Sequence, residues 1–542
     1  MRPYVPARPH PVLVLLLALA ALLVPAVPAY GAGRVPARPL AATGTGLLAG
    51  RQLDGVQAFL GVPYAAPPTG ARRFRPPQPP ARWDGVRQAA QQAPACLQFS
   101  PFGLSDPQNV SEDCLYLDVY RPADAAPGAR LPVLFWIHGG AYSQGTGTQF
   151  GGATLARLTG TVVVSINYRL GQLGYLALPQ FDQEGTPGSG TWGLQDQIAA
   201  LSWTRRNAAA FGGDPANITI AGQSAGAGSV CALLTAPSTA GLFSHAILQS
   251  GPCTLLSAPD QQAAGADGQA YAEAAGCPPG PDTLTCLRAA PPAALLAAAA
   301  NHPTPGPATG TPVLPRGPAE AIAAGAWHQV PILIGSNAAE ARLLVALTQP
   351  RLTAEQYTAQ VTVAYGADAP RVLAAYPLTA YGSPYLAYSA LLTDATFACH
   401  TYWTAALLRT QVPTYVYEFD DPNSPTLAGA QVPGLDESNA HSAELAYLFD
   451  FTMGDRPLTS AQLELADRMK RSWAAFARTG NPNTPGPPVW PTAGGGDSYR
   501  ARSLRPDGAT RTITTFADDH RCALWASVPG AAGGRPAAAG GR

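Results

Sequence analysis

Short, uninterrupted apolar runs recur along the chain and fix its fold class before any other feature enters. They are Leu131-Pro-Val-Leu-Phe-Trp-Ile137, Thr161-Val-Val-Val-Ser-Ile166, Asn217-Ile-Thr-Ile-Ala221, His245-Ala-Ile-Leu248 and Pro331-Ile-Leu-Ile334. A strand with one wet face alternates apolar and polar residues, whereas a strand covered on both faces stays apolar throughout. These runs therefore read as buried strands of a mostly parallel sheet, and Val412–Phe419 reads as another. Between them lie helical patterns. Gly193–Ala210 places Leu194, Ile198, Leu201 and Trp203 at helical spacing, with Asp196 and Gln197 in the first turn. Leu463–Arg478 does the same with Leu465, Met469, Trp473 and Phe476. Strands alternating with helices predict a doubly wound α/β sheet. Ala289–Ala300 reads as a helix and Asn301–Pro315 as a surface loop. With no internal repeat and no clear linker, one large domain with long insertions is expected over 30–528.

Composition supports a large core. Of 542 residues, 46% are hydrophobic and only 13% charged. Lys+Arg and Asp+Glu both number 34. That balance argues against a nucleic-acid binder or a polybasic membrane binder. Lys470 is the only lysine, and alanine runs are frequent; together these suggest a GC-rich genome.

Both termini fall outside that domain. Residues 1–29 join a weakly basic start, an apolar run over Val12–Val24 and the small residues Val27-Pro-Ala29. This is the pattern of a secretory signal peptide cleaved near Ala29. The run falls short of the ~20 residues that span a bilayer. Secretion without stable membrane insertion is therefore expected. Pro529–Arg542 is Gly/Ala-rich and reads as a disordered tail. The cysteines are Cys96, Cys114, Cys231, Cys253, Cys277, Cys286, Cys399 and Cys522. An even count in an exported chain suggests disulfides, and the lack of a CxxC pair argues against a zinc site.

The sharpest chemical motif is Gly222-Gln-Ser-Ala-Gly226. A strand-like segment precedes it and Ala225–Leu234 can continue as a helix. This arrangement resembles the nucleophile elbow of α/β-hydrolases. The turn must be tight and strained, so side chains at the flanking glycines would collide. It exposes Ser224 Oγ and points the Ala225 N–H towards an oxyanion. A second loop, His138-Gly-Gly-Ala141, follows a predicted strand directly. Gly140 and Ala141 are its candidate oxyanion donors, and His138 reads as structural.

A serine nucleophile needs a histidine base, and that base needs a carboxylate. His245, His302, His328, His400, His441 and His520 all follow Ser224. His441 is favoured, because it lies in a polar loop running into an apolar segment. For the acid, Glu340 stands just past the carboxyl end of a predicted strand, where open α/β sheets bind ligands.

These residues carry a family resemblance. Phe211–Gly226 is similar to the serine signature of the type-B carboxylesterase (cholinesterase/carboxylesterase) family, and Glu112-Asp-Cys-Leu-Tyr-Leu117 to its second signature. Phe59–Ala65, Asn167-Tyr-Arg169, Trp192–Gln197 and Gln249-Ser-Gly251 resemble further family blocks, in order, over residues 43–527. Asp118 replaces the family's usual Asn. Ala339 and Ala341 replace a common Asp and Gly. The resemblance implies an α/β-hydrolase fold and a Ser224, Glu340, His441 triad acting on a small-molecule ester through an acyl-enzyme. It implies no metal and no organic cofactor. It also implies disulfides Cys96–Cys114, Cys277–Cys286 and Cys399–Cys522, which leaves Cys231 and Cys253 as a possible fourth bridge.

Specificity is only partly legible. Cholinesterases carry Glu before the nucleophile, where this chain has neutral Gln223. Phe99 and Phe102 lie between Cys96 and Cys114, but no Trp does. Both features favour neutral carboxylic esters over choline esters; neither sets acyl length, and short-to-medium chains are the expectation. A lipase acting on longer acyl chains is the alternative. A non-catalytic binding member of the family is the contrasting class, and the presence of all three triad residues counts against it. Oligomeric state is not encoded in any pattern seen here.

Overall fold

A computed structural model of the chain describes residues 38–98 and 109–528, apart from 127, 186–187, 256–258, 301, 303–304, 428–431, 433, 452–453 and 495–497. The expected leader over 1–29, the tail over 529–542, and Phe99 and Phe102 lie outside the described residues. Everything below belongs to the unit that begins at Pro39.

An 11-stranded sheet organises this unit. Its strands are β1 (Arg51–Leu53), β2 (Val56–Pro63), β3 (Tyr116–Pro122), β4 (Leu131–Ile137), β5 (Val162–Ile166) and β6 (Gly213–Gln223), followed by β7 (His245–Gln249), β8 (Ile332–Asn337), β9 (Thr414–Phe419), β10 (Ala501–Leu504) and β11 (Arg511–Ile513). Their spatial order is β11-β10-β9-β8-β7-β6-β4-β5-β3-β2-β1. From β5 to β10 every neighbouring pair is parallel, and the pairings outside that block are antiparallel. The fold is that of an α/β-hydrolase.

The apolar runs are explained by cover on both faces. In β4, Phe135 and Ile137 join the core shared with Leu201 and Val230. Leu134 and Trp136 point the other way, into a core with Leu465, Met469 and Trp473. Helix α1 (Trp192–Asn207) and helix α2 (Ala225–Thr235) supply the first layer. Helix α5 (Ser460–Thr479) supplies the second. Its start is fixed by a capping box between Thr459 and Gln462, and Gly480 ends it at φ 72°. Of the helices that lie between α2 and α5 in sequence, α3 (Ala341–Thr348) directly follows Glu340 and α4 (Leu445–Leu448) follows the His441 loop.

The Asn167-Tyr-Arg169 and Trp192–Gln197 blocks are tied together by one buried ion pair. Arg169 donates from Nε and Nη2 to Asp196 at 2.8 and 2.7 Å. Asp196 is fully buried and lies beyond the first turn of α1, so it serves this pair rather than the helix start. The described residues of the 301–315 segment form a loop, as its composition predicts, but it is not wholly superficial: Ala308, Thr311 and Leu314 are buried. Their small or apolar side chains let the loop fold into the core edge.

The structure joins Cys96 to Cys114, Cys231 to Cys253, Cys277 to Cys286 and Cys399 to Cys522. The second of these links α2 to the segment just beyond β7.

Candidate active site

The site grows from the turn between β6 and α2. Ser224 sits there at φ 57° and ψ −127°, a conformation that L-residues rarely adopt. Neighbouring glycines make it possible. A Cβ on Gly222 would stand 2.4 Å from the carbonyl of Gly226, and one on Gly226 would stand 2.1 Å from the Ile137 oxygen. These glycines weaken helix propensity, yet the close approach of β4, β6 and α2 demands them. Gln249 on β7 accepts the Ser224 N–H at 2.8 Å, which pins the turn from the other side.

The His138–Ala141 loop leaves β4 directly against this turn. A Cβ on Gly139 would stand 3.0 Å from that of Ser224. Gly140, Ala141 and Tyr142 follow with φ of 108°, 52° and 58°, three successive left-handed residues. Among the described residues, no acceptor takes a hydrogen bond from the backbone N–H of Gly140, Ala141 or Ala225. His138 is buried, stacks on Tyr168 and places Nδ1 2.7 Å from the Gly139 carbonyl. Burial pushes its pKa down to about 4, which keeps it neutral and structural.

Glu340 follows β8 and precedes α3. It is fully buried, accepts the Asn337 N–H at 2.7 Å and holds His441 Nδ1 at 2.6 Å. The His441 N–H also reaches the Glu340 carbonyl at 3.0 Å. Ala339 and Ala341 do not disturb the turn, because Asn439 O takes the Ala339 N–H and Thr393 Oγ1 takes the Ala341 N–H. His441 lies between Asn439 at φ 56° and Ser442 at φ 75°, on the loop before α4. Burial lowers its pKa, but Glu340 and, more weakly, Glu444 outweigh this and leave it raised.

The structure thus brings Glu340 onto His441 and the His138–Ala141 loop onto Ser224. No hydrogen bond joins Ser224 Oγ to His441. Instead, His441 Nε2 lies 3.1 Å from the Gln223 amide nitrogen. Because Nδ1 faces a carboxylate and Nε2 faces a donor, the imidazole is placed as the Nδ1–H tautomer.

Sequence reasoning did not identify three neighbours. Glu444, fully buried, accepts from Asn337 Nδ2 at 2.8 Å and Gln249 Nε2 at 3.1 Å. Burial, then the nearby Glu340 charge, raises its pKa. Phe397, on a π-helical turn over Thr393–Ala398, packs on His441 with ring centroids 5.1 Å apart. Glu444 stands close after His441 in sequence, which was the available signal. Gln249 opens the Gln249-Ser-Gly251 block, which marks its position but not its contact with Glu444, and for Phe397 no local pattern announces the role.

The chain is similar to known proteins along most of its length. The sequence profile of the Carboxylesterase family matches residues 37–525. The chain is 34% identical to human cocaine esterase over 531 residues, covering 91% of this chain and 92% of that protein. It is 32% identical to a mouse acylcarnitine hydrolase over 510 residues, covering 87% and 88%. Among solved structures, a Geobacillus stearothermophilus carboxylesterase superposes with a TM-score of 0.78 at 34% identity, covering 90% of this chain and 100% of that one.

Proposed function

The chain belongs to the carboxylesterase family and is a carboxylic ester hydrolase, and from that premise we propose that it acts through a serine acyl-enzyme. Ser224 is the nucleophile, His441 the general base and Glu340 the acid that orients it. The observation that carries this reading is the 2.6 Å contact from Glu340 to His441 Nδ1, beside a strained Ser224 turn. It leaves the Nε2 lone pair available for a proton.

In the first half-reaction Ser224 Oγ attacks the ester carbonyl and its proton passes to His441 Nε2. To do so, the hydroxyl takes the place that the Gln223 amide holds at Nε2. The N–H groups of Gly140, Ala141 and Ala225 receive the oxyanion, for which their unshared donors are suited. His441 then protonates the leaving alcohol. In the second half-reaction water takes the serine's part and the acid is released. The side chain before the nucleophile is the neutral Gln223, so it adds no anion to attract a cationic alcohol group. The preferred substrates are neutral esters of short-to-medium acyl chains. Cocaine esterase and acylcarnitine hydrolase, as named, act on unlike esters, which supports a common machinery served by different pockets.

The Val12–Val24 run and its flanks support export with cleavage near Ala29, leaving one hydrolase domain before a Gly/Ala-rich tail. The disulfides fit an oxidising compartment. Among the described residues no helix is long and apolar enough to cross a membrane.

Hydrolysis of p-nitrophenyl esters from acetate to palmitate tests the proposal, with Ser224→Ala beside the wild type. Turnover should peak at short-to-medium chains and fall by ~10⁴-fold or more in the variant, because triad members act as a unit. A long-chain peak would replace the esterase reading with a lipase. Retained activity in folded Ser224→Ala would end the serine assignment.

A further inference from the structure

Helix α5, the proline-rich segment 482–490 and strand β10, the second strand from the sheet's edge, enclose an open groove of about 530 Å³. It lies on the α5 side of the sheet, and none of its lining residues belongs to the Ser224–His441 site. Trp473, Trp490, Met469 and Leu504 give it an apolar wall. Four arginines, Arg468, Arg471, Arg478 and Arg502, also line it, and no lining residue is acidic.

Arg502 is the unusual member. It is only 6% exposed, yet among the described residues no carboxylate pairs with it. Its guanidinium makes only long contacts, to Thr512 Oγ1 at 3.4 Å and the Pro488 carbonyl at 3.3 Å. The fold treats its other buried arginines differently. Arg73 holds Glu112 with two bonds of 2.6 Å, and Arg169 holds Asp196 with bonds of 2.8 and 2.7 Å. A buried, unpaired guanidinium is costly, and burial indeed lowers the Arg502 pKa. An anion arriving from solvent would supply the missing partner.

We propose that this groove is a binding site for an amphipathic organic carboxylate, with its head on Arg502 and Arg471 and its apolar body against Trp473, Trp490 and Leu504. The planar fork of arginine matches a carboxylate bidentately. An alkyl or aryl tail would cover the apolar wall. The acid released by ester hydrolysis has this chemistry.

Calorimetric titration of the full chain with octanoate, and with 1-octanol as its neutral counterpart, tests the site. Octanoate should bind, and octanol should bind about tenfold more weakly or worse. Arg502→Gln and Arg471→Ala should each weaken octanoate by about tenfold or more. Ser224→Ala should leave its affinity unchanged. If Arg502→Gln fails to fold, the exposed Arg471→Ala and a groove-filling Ser472→Trp decide. Equal binding of octanol and octanoate, unchanged affinity in the folded groove variants, or no binding would overturn the proposal.

Discussion

His441 is governed by opposed local effects, and their balance can be read in a pH profile. Burial disfavours its imidazolium, but Glu340 at 2.6 Å and the buried Glu444 raise its pKa above the ordinary 6.5. A general base works only when neutral, so turnover should rise with pH through that raised value. The acid limb of kcat/KM should therefore have its midpoint above 6.5. Glu444→Gln removes one of the two charges and should move that limb towards lower pH, while its single amide oxygen keeps one of the two donors, Asn337 Nδ2 or Gln249 Nε2. An acid limb at or below 6.5, unmoved by the substitution, would contradict this electrostatic picture. Gln223 belongs to the same balance, since its amide faces Nε2 without adding a negative charge.

Strand β3 carries the one family departure with an energetic consequence. Its Asp118 is buried, with Oδ1 accepting the Gly61 N–H at 2.8 Å and with Gln92 and Arg51 near enough to favour its charged form weakly. Gly61, at φ 65°, lies where β2 shifts register against β3 between Phe59 and Val62. Burial, opposed by the Gly61 bond, pushes the Asp118 pKa up to about 7. The folded value exceeds the unfolded one, so the stability it contributes is full below about pH 4 and lost as pH rises towards 7. Asp118→Asn keeps an oxygen for Gly61 and removes the buried charge. Its melting temperature should exceed that of the wild type at pH 8, with the gap closing by pH 4. Parallel melting curves across that range would refute the assignment. The same edge shows what sequence conceals. The buried parallel strands announce themselves as apolar runs, whereas β1 and β11 are short and largely exposed, and β2 and β3 mix polar residues into their faces. Their pairing depends on distant partners, so no local pattern reveals it. Helices α1 and α5 were legible because one apolar stripe meets the core.

Across the whole molecule, the disulfides tie distant parts to the site's frame. Cys231–Cys253 fastens α2 to the segment after β7, and Cys399–Cys522 closes a separation of 123 residues next to the π-helical turn that holds Phe397. Closing so long a loop stabilises by ~4–5 kcal/mol in the chain-entropy model. Alkylation of the unfolded, unreduced protein should leave every cysteine unmodified, and prior reduction should expose them all. Labelling of Cys231 and Cys253 alone without reduction would remove that bridge. Ser224 was legible as the centre of a motif, Glu340 by its place just past a strand and His441 by its polar loop, with the family resemblance joining them into one triad. The Glu444–Gln249–Asn337 contacts and the Arg502 groove were not, since polar residues acquire those roles only when remote segments converge. The central claim is that Ser224 is the residue acylated in turnover. A fluorophosphonate, which stays on an activated serine, tests it directly when labelled protein is digested and the adduct mapped by mass spectrometry. One adduct on Ser224, formed in step with loss of esterase activity, is the predicted result. Full inactivation with the adduct on another residue, or undiminished activity with Ser224 modified, would contradict it.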